Sequence, residues 1–141
     1  MSYTERFSER WALLASIEPA SYTTEQNTGA VACQNYTRLV VIIHCGVIGG
    51  DLDIDIEEAT SITGTLASFD SGNKDVTKTA TTDNDTVSVI EIRGEEFDVN
   101  NVYGCLNVEV TPASAGIFSG QLWGQAVYPP ASTTNLDSVT D

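Results

Sequence analysis

The chain has 141 residues, room for one domain, and sets 20 Asp and Glu against 6 Lys and Arg for a formal charge of −14. That excess excludes a nucleic-acid binder held by phosphate neutralisation. With 18% charged and 41% hydrophobic residues the composition is that of a folded domain rather than of disorder. No apolar run approaches the roughly 20 residues of a membrane helix. The start, Met1 to Arg6, lacks the basic lead and apolar stretch of a signal peptide. The expected setting is therefore folding in a cytoplasm, with no membrane and no nucleic acid as partner.

The chain opens on a segment different in kind from the rest. Ser2 with Glu5 fits a capping box, and Phe7, Trp11 and Leu14 fall on one helical stripe, which predicts a short helix from about Thr4 to Leu13. Glu5 and Glu9 cancel Arg6 and Arg10, so residues 1–14 form a neutral aromatic arm before an acidic body. It packs on its own domain or docks on a neighbouring subunit.

Beyond the arm the periodicity is two, the signature of an all-β sandwich or barrel. From Arg38 to Cys45 both alternating sets are apolar, which predicts a central strand covered on both faces. Gly46, Gly49 and Gly50 close it. Asp51 to Glu57 then alternates without a break, placing Leu52, Ile54 and Ile56 inward and Asp51, Asp53, Asp55 and Glu57 outward. Turn chemistry follows at Asp70–Asn73 and Thr82–Asp85, with a weak edge strand between them whose Lys74 and Lys78 are charges of the kind edges use against aggregation.

Val87 and Val89 are out of phase with Ile90 and Ile92, which predicts a β-bulge near Val89. After the acidic Glu95–Asp98 group and a turn at Asn100–Asn101, Leu106, Val108 and Val110 alternate with polar residues until Pro112. In the last strand, Ile117 to Tyr128, Phe118, Gly120, Leu122, Gly124 and Ala126 share the inward face. Trp123 then lies outward between Gln121 and Gln125, unless a bulge turns it back into the core. Residues 129–141 have the composition of a flexible polar tail.

Few residues point to chemistry. Cys33, Cys45 and Cys105 form no metal-ligand spacing and read as small buried hydrophobes. His44, the single histidine, sits in an apolar run and reads as a core or interface residue rather than a base. Asp51, Asp53 and Asp55 match the 1-3-5 spacing of an EF-hand, but Ile56 and Ile62 stand where that loop needs Gly and Glu. The row reads instead as one face of a strand, solvated or docked on a basic partner. No nucleophile elbow, metalloprotease, phosphate-loop or dinucleotide motif occurs in the sequence. The expectation is a non-enzymatic protein without a cofactor or metal.

Tyr36 to Ile43, a Gly-containing turn and the Leu52 to Ile56 strand, followed by Ser88 to Arg93, Glu95 to Asp98 and Leu106 to Pro112, resemble a group of small decoration, or cement, proteins found among the head genes of tailed bacteriophages. The likeness spans about residues 16–128. It implies a virion structural protein on the exterior of an icosahedral capsid, binding the major capsid protein and stabilising its lattice, and a homo-oligomer, most simply a trimer. The expected architecture is a single antiparallel β-sandwich, jelly-roll or Ig-like, over 15–128, with a short N-terminal helical or extended arm at 1–14 and a tail at 129–141. The candidate capsid or subunit contacts are Phe7, Trp11, Asp51, Asp53, Asp55, Glu57 and Trp123. The alternative function is a receptor- or carbohydrate-binding sandwich of a virion, with Trp123 or Tyr103 stacking on sugar rings.

Overall fold

A computed structural model of the chain describes residues 6–97, 104–128 and 135–136. A one-turn helix, α1 (Phe7–Arg10), leads into β1 (Trp11–Tyr22). The two short strands β2 (Gln26–Asn27) and β3 (Val31–Ala32) follow, then the long β4 (Tyr36–Ile48) and β5 (Leu52–Ala59). Next come β6 (Ala67–Ser68), β7 (Val76–Lys78), β8 (Val87–Arg93), β9 (Cys105–Pro112) and β10 (Gly116–Ala126).

These strands build two antiparallel sheets. One has the order β1-β10-β4-β8, and the other β2-β9-β5-β6, with β3 also on β9 and β7 also on β5. When β2 with β3, and β6 with β7, are each taken as one interrupted strand, eight strands remain. The first, eighth, third and sixth make one sheet and the second, seventh, fourth and fifth the other, which is jelly-roll topology. Of the two sandwich types the sequence left open, the chain adopts the jelly roll.

The inner faces close on one another through alternation. Leu39, Val41 and Ile43 of β4, Ile90 and Ile92 of β8 and Phe118 and Leu122 of β10 meet Leu52, Ile54 and Ile56 of β5 and Leu106, Val108 and Val110 of β9 in a single buried cluster. Asn107 is fully buried in β9, and its amide donates to Glu57 Oε2 at 2.6 Å and to Asn27 Oδ1 at 2.8 Å, tying three neighbouring strands together. The turn after β6 runs through left-handed backbone at Asp70 (φ 46°), Ser71 (φ 55°) and Gly72 (φ 82°). It delivers Asp75, whose Oδ1 accepts the Ile56 N–H at 2.9 Å.

Several expectations are corrected. The helix foreseen over residues 4–13 is confined to Phe7–Arg10, because Trp11, Ala12 and Leu13 pair with Gln125, Gly124 and Trp123 of β10 and draw the chain straight. The Ser2–Glu5 capping box lies outside the described residues; Glu9 Oε2 instead accepts the Arg6 N–H at 2.9 Å. The bulge near Val89 is absent: β8 pairs with β4 in unbroken register from Arg93 to Val87, with Ser88, Ile90 and Ile92 inward and both valines outward. The strand β4 is central but fully covered on one face only, Val40 and Ile42 being half-buried on the other. His44 is exposed on that outer face and is not a core residue. Trp123 points outward in continuous register with β4, so no bulge returns it to the core.

The edges of the β4 sheet are tied by side chains. Lys74 Nζ donates to the Glu91 carbonyl on the edge strand β8 at 3.0 Å and pairs with Glu96 at 2.9 Å, while Glu96 Oε2 accepts the Arg93 N–H at 2.6 Å. On the opposite edge the Asn135 amide donates to the Leu13 and Leu14 carbonyls of β1 at 2.8 and 3.1 Å.

Gly124 marks the tightest approach of β10 to its neighbours. A Cβ there would stand 2.6 Å from Tyr36 Cδ1, 2.7 Å from Tyr36 Cγ and 3.0 Å from Leu14 Cδ1. Gly124→Ala is therefore expected to lower unfolding free energy by about 1–3 kcal/mol, the usual cost of overpacking, as measured by urea denaturation. An unchanged midpoint would show that the Tyr36 ring yields without strain.

Candidate contact surfaces

The jelly roll sends the candidate contact residues to opposite sides of the molecule. Phe7, Trp11 and Trp123 lie on the outer face of the β4 sheet; Asp53, Asp55 and Glu57 lie on the outer face of the β5 sheet, with Asp51 at its end. Residues paired directly across antiparallel strands share a face, and the register shows how each surface is assembled.

On the β4 side, Trp11, Gln125, Arg38 and Arg93 form one cross-strand row, Leu13, Trp123, Val40 and Glu91 the next, and Ser16, Gln121, Ile42 and Val89 a third. The Phe7 ring stacks on Trp11 with centroids 6.1 Å apart and meets Trp123 edge-on at 5.2 Å. These aromatics, with Val40, Ile42 and Gln121, line a shallow groove of about 230 Å³. The Trp123 indole N–H donates to Gln121 Oε1 at 2.9 Å, so that ring presents carbon and no free donor to the groove. A sugar-stacking site needs polar groups convergent on its ring, which this lining does not supply; Tyr103, the other ring considered for that role, lies outside the described residues. The apolar surface extends beyond the groove through Val87, Val89 and Ile117, which are 52%, 59% and 49% exposed.

On the β5 side, Asp55 and Glu109 are directly opposed across β5 and β9, flanked by Asp53 opposite Thr111 and Glu57 opposite Asn107. None of these four carboxylates is ion-paired among the described residues. Three of the carboxylates named from sequence have partners within the fold. Asp51 Oδ1 accepts the Ala80 N–H at 2.9 Å, Asp53 Oδ1 accepts the Thr77 hydroxyl at 2.7 Å, and Glu57 accepts from Asn107. Asp55 is the one crowded by charge. Partial burial, and then the carboxylates of Asp75, Asp53 and Glu57, push its carboxyl above the ordinary value. Glu109 is raised likewise by burial and then by Glu25, Glu57 and Asp55. Among the described residues no group of His, Cys, Asp and Glu converges to hold a metal ion.

Sequence reasoning missed Glu109 and Asp75, which join this surface from β9 and from the turn before β7 rather than from the alternating strand itself. All three cysteines are buried free thiols, as their sequence setting suggested, and burial pushes the Cys33 thiol up to about 12. No helix among the described residues is long and apolar enough to cross a membrane.

No family model matches the chain, and no curated protein matches it. Among solved structures it is similar to a chain of Triatoma virus at 9% identity, covering 99% of this chain and 74% of that one with a TM-score of 0.47. It is also similar to the Tobacco streak virus coat protein, at 10% identity over 99% and 100% of the two chains with a TM-score of 0.38. A third likeness is to a chain of Bacillus endospore appendages, which form disulfide-linked pili, at 9% identity over 89% and 99% with a TM-score of 0.39. At such identities a likeness is one of fold, and the roles of those proteins do not pass to this chain through it.

The crowding at Asp55 has a consequence for stability. A carboxyl whose folded pKa is raised binds its proton more readily in the folded state, so stability is lost as pH rises through that value and recovered as pH falls toward the unfolded one. Asp55→Asn removes the charge and should raise neutral-pH stability by about 0.2–1 kcal/mol, the scale of a like-charge cross-strand contact. The gain should shrink as pH approaches 3.8, the ordinary value for the Asp carboxyl. Paired thermal melts of parent and variant across that range test it, since effects elsewhere, such as the lowered Glu96 carboxyl held by the Arg93 N–H, cancel in the difference. A variant less stable than the parent at neutral pH would contradict the sign.

Proposed function

We propose that this protein is a structural component of a virus particle, a decoration or cement protein that sits on the exterior of a tailed-phage head and contacts the major capsid protein. The observation that supports this reading best is the acidic face of the β5 sheet, where Asp53, Asp55, Glu57 and Glu109 stand together without an ion-pair partner among the described residues. Like charges opposed across strands oppose folding. A basic surface laid on them offsets that cost, and many copies on a lattice convert a weak single contact into firm attachment. The jelly-roll sandwich supplies a rigid platform for such a face, and the resemblance of residues 16–128 to head decoration proteins points the same way. In this reading the copies also associate with one another, a trimer being the form many decoration proteins take.

The test is retention on particles. Chain added to heads prepared without it should co-sediment with them, and retention should fall as salt rises, because a contact between exposed charges is screened. Asp55→Asn combined with Glu109→Gln leaves the hydrogen bonds of Asp51, Asp53 and Glu57 intact. It should weaken retention and flatten its salt dependence. Undiminished retention of the folded double variant would exclude the acidic face as the lattice contact.

A further inference from the structure

We propose that the outer face of the β4 sheet is where copies of this chain meet one another. The inference deepens the self-association named above and does not depend on the capsid.

It begins from charge. A chain with a formal charge of −14 repels its own copies at every surface that carries its carboxylates. The β4 face is the exception. Across its four strands the charged residues in register are Arg38 and Arg93 on one row and Glu91 on the next, with Glu95 beside Arg93 and Glu18 exposed at the second register shift of β1. That set is within one charge of balance, while the β5 face carries Asp53, Asp55, Glu57 and Glu109. Copies that meet through the β4 face keep their acidic faces apart and pointing away from the contact. The same face is self-complementary in sign, since Glu91 of one copy has Arg38 and Arg93 of another as partners. Arg38 has no ion-pair partner of its own among the described residues.

Apolar surface supplies the attraction. Phe7, Trp11, Trp123, Val40 and Ile42 form the groove, and Val87, Val89 and Ile117 carry the patch across to the β8 edge and along β10. Large exposed patches on soluble proteins mark contact sites. The face has the anatomy of an interface, with an aromatic centre and an Arg and Gln rim. Four strands about 4.8 Å apart and about eight residues long at ~3.3 Å each give roughly 500 Å² in projection. Side-chain relief and the α1 aromatics raise that toward the ~800 Å² per partner of a stable complex. A partner of opposite chemistry fits less well: a basic protein would meet the two arginines, and a sugar would meet an almost wholly apolar lining with few polar groups to orient its ring.

Salt dependence distinguishes this contact from the acidic one. Association of like-charged bodies through a nearly neutral apolar face strengthens as salt screens their repulsion, whereas the acidic contact weakens. In sedimentation equilibrium the full chain should form a discrete oligomer whose dissociation constant falls between low and high salt. Tryptophan emission should move to shorter wavelength with association, because Trp11 and Trp123 both lie on the face. Val89→Glu should raise the dissociation constant about tenfold or more, as an unpaired buried carboxylate does, while the thermal midpoint of the dilute monomer stays near that of the parent. Val87→Glu is the second variant should the first fail to fold. A parent that stays monomeric at high concentration in high salt overturns the proposal, and so does an oligomer that either folded variant leaves unchanged. Both results are obtained without capsids, so a chain that self-associates yet is not retained on particles contradicts the proposed lattice contact alone.

Discussion

The pairing of β10 between β1 and β4 is the contact on which the rest of the molecule depends. It joins the last strand to the first and to the longest, and it sets the register that places Leu13, Trp123 and Val40 in one row. Small inward residues make it possible. A Cβ on Gly120 would reach Ile43 Cδ1 at 3.0 Å, and one on Gly124 would enter the Tyr36 ring, so these two positions let β4 and β1 close on β10 at the distance their hydrogen bonds require. The indole of Trp123 is on the surface because strand alternation, in unbroken register with β4, gives the inward positions on either side of it to Leu122 and Gly124.

The remaining surface is sorted by the same alternation. In β5 every second residue is a carboxylate, and the partner strand β9 adds Glu109 in direct opposition to Asp55. In β4 the outward positions are Val40, Ile42 and His44, and β8 adds Val87 and Val89. One sheet therefore turns an acidic surface outward and the other an apolar one, with a sealed core between them. Neither face gains from water, the first because its repulsion opposes folding and the second because its hydrocarbon stays hydrated. Their separation onto opposite sides keeps the repulsion of one from opposing contacts made by the other.

Much of this was legible in the sequence, and the failures have physical causes. The β5 and β10 alternations were read correctly because one face of each is wholly buried, where period-two patterning is strongest. In β8 the assumption that valines face the core produced a bulge, whereas the buried residue there is Ser88 and the valines are outside. The strand β1 went unrecognised because register shifts between Leu13 and Ala15 and between Ile17 and Ala20 break its alternation, with Pro19 on an edge where a missing donor is tolerated. Its first residues consequently resembled a helical stripe. The acidic row on β5 was readable one strand at a time; its extension by Glu109 and Asp75 was not, since opposition across strands is a property of register. The same holds for the meeting of Trp123 with Phe7 and Trp11, which lie more than a hundred residues before it in the chain.

The edges explain why a face, rather than a strand end, is the surface left for contact. An open sheet edge is a ready template for pairing with another chain, and the β4 sheet has two. On β8 the outward carbonyl of Glu91 is occupied by Lys74 and the outward N–H of Arg93 by Glu96. Since outward-pointing backbone groups alternate along an edge, the C-terminal half of β8 is closed to a further strand and only the Val87–Val89 end stays open. On β1 the carbonyls of Leu13 and Leu14, at the first register shift, are held by Asn135. Lys74 thus acts on an edge, as its position suggested, but on that of the opposite sheet, and by filling an acceptor rather than by repulsion. With both edges interrupted, continuous sheet extension is blocked, and the uncovered hydrocarbon between them is the surface with most to gain from a partner.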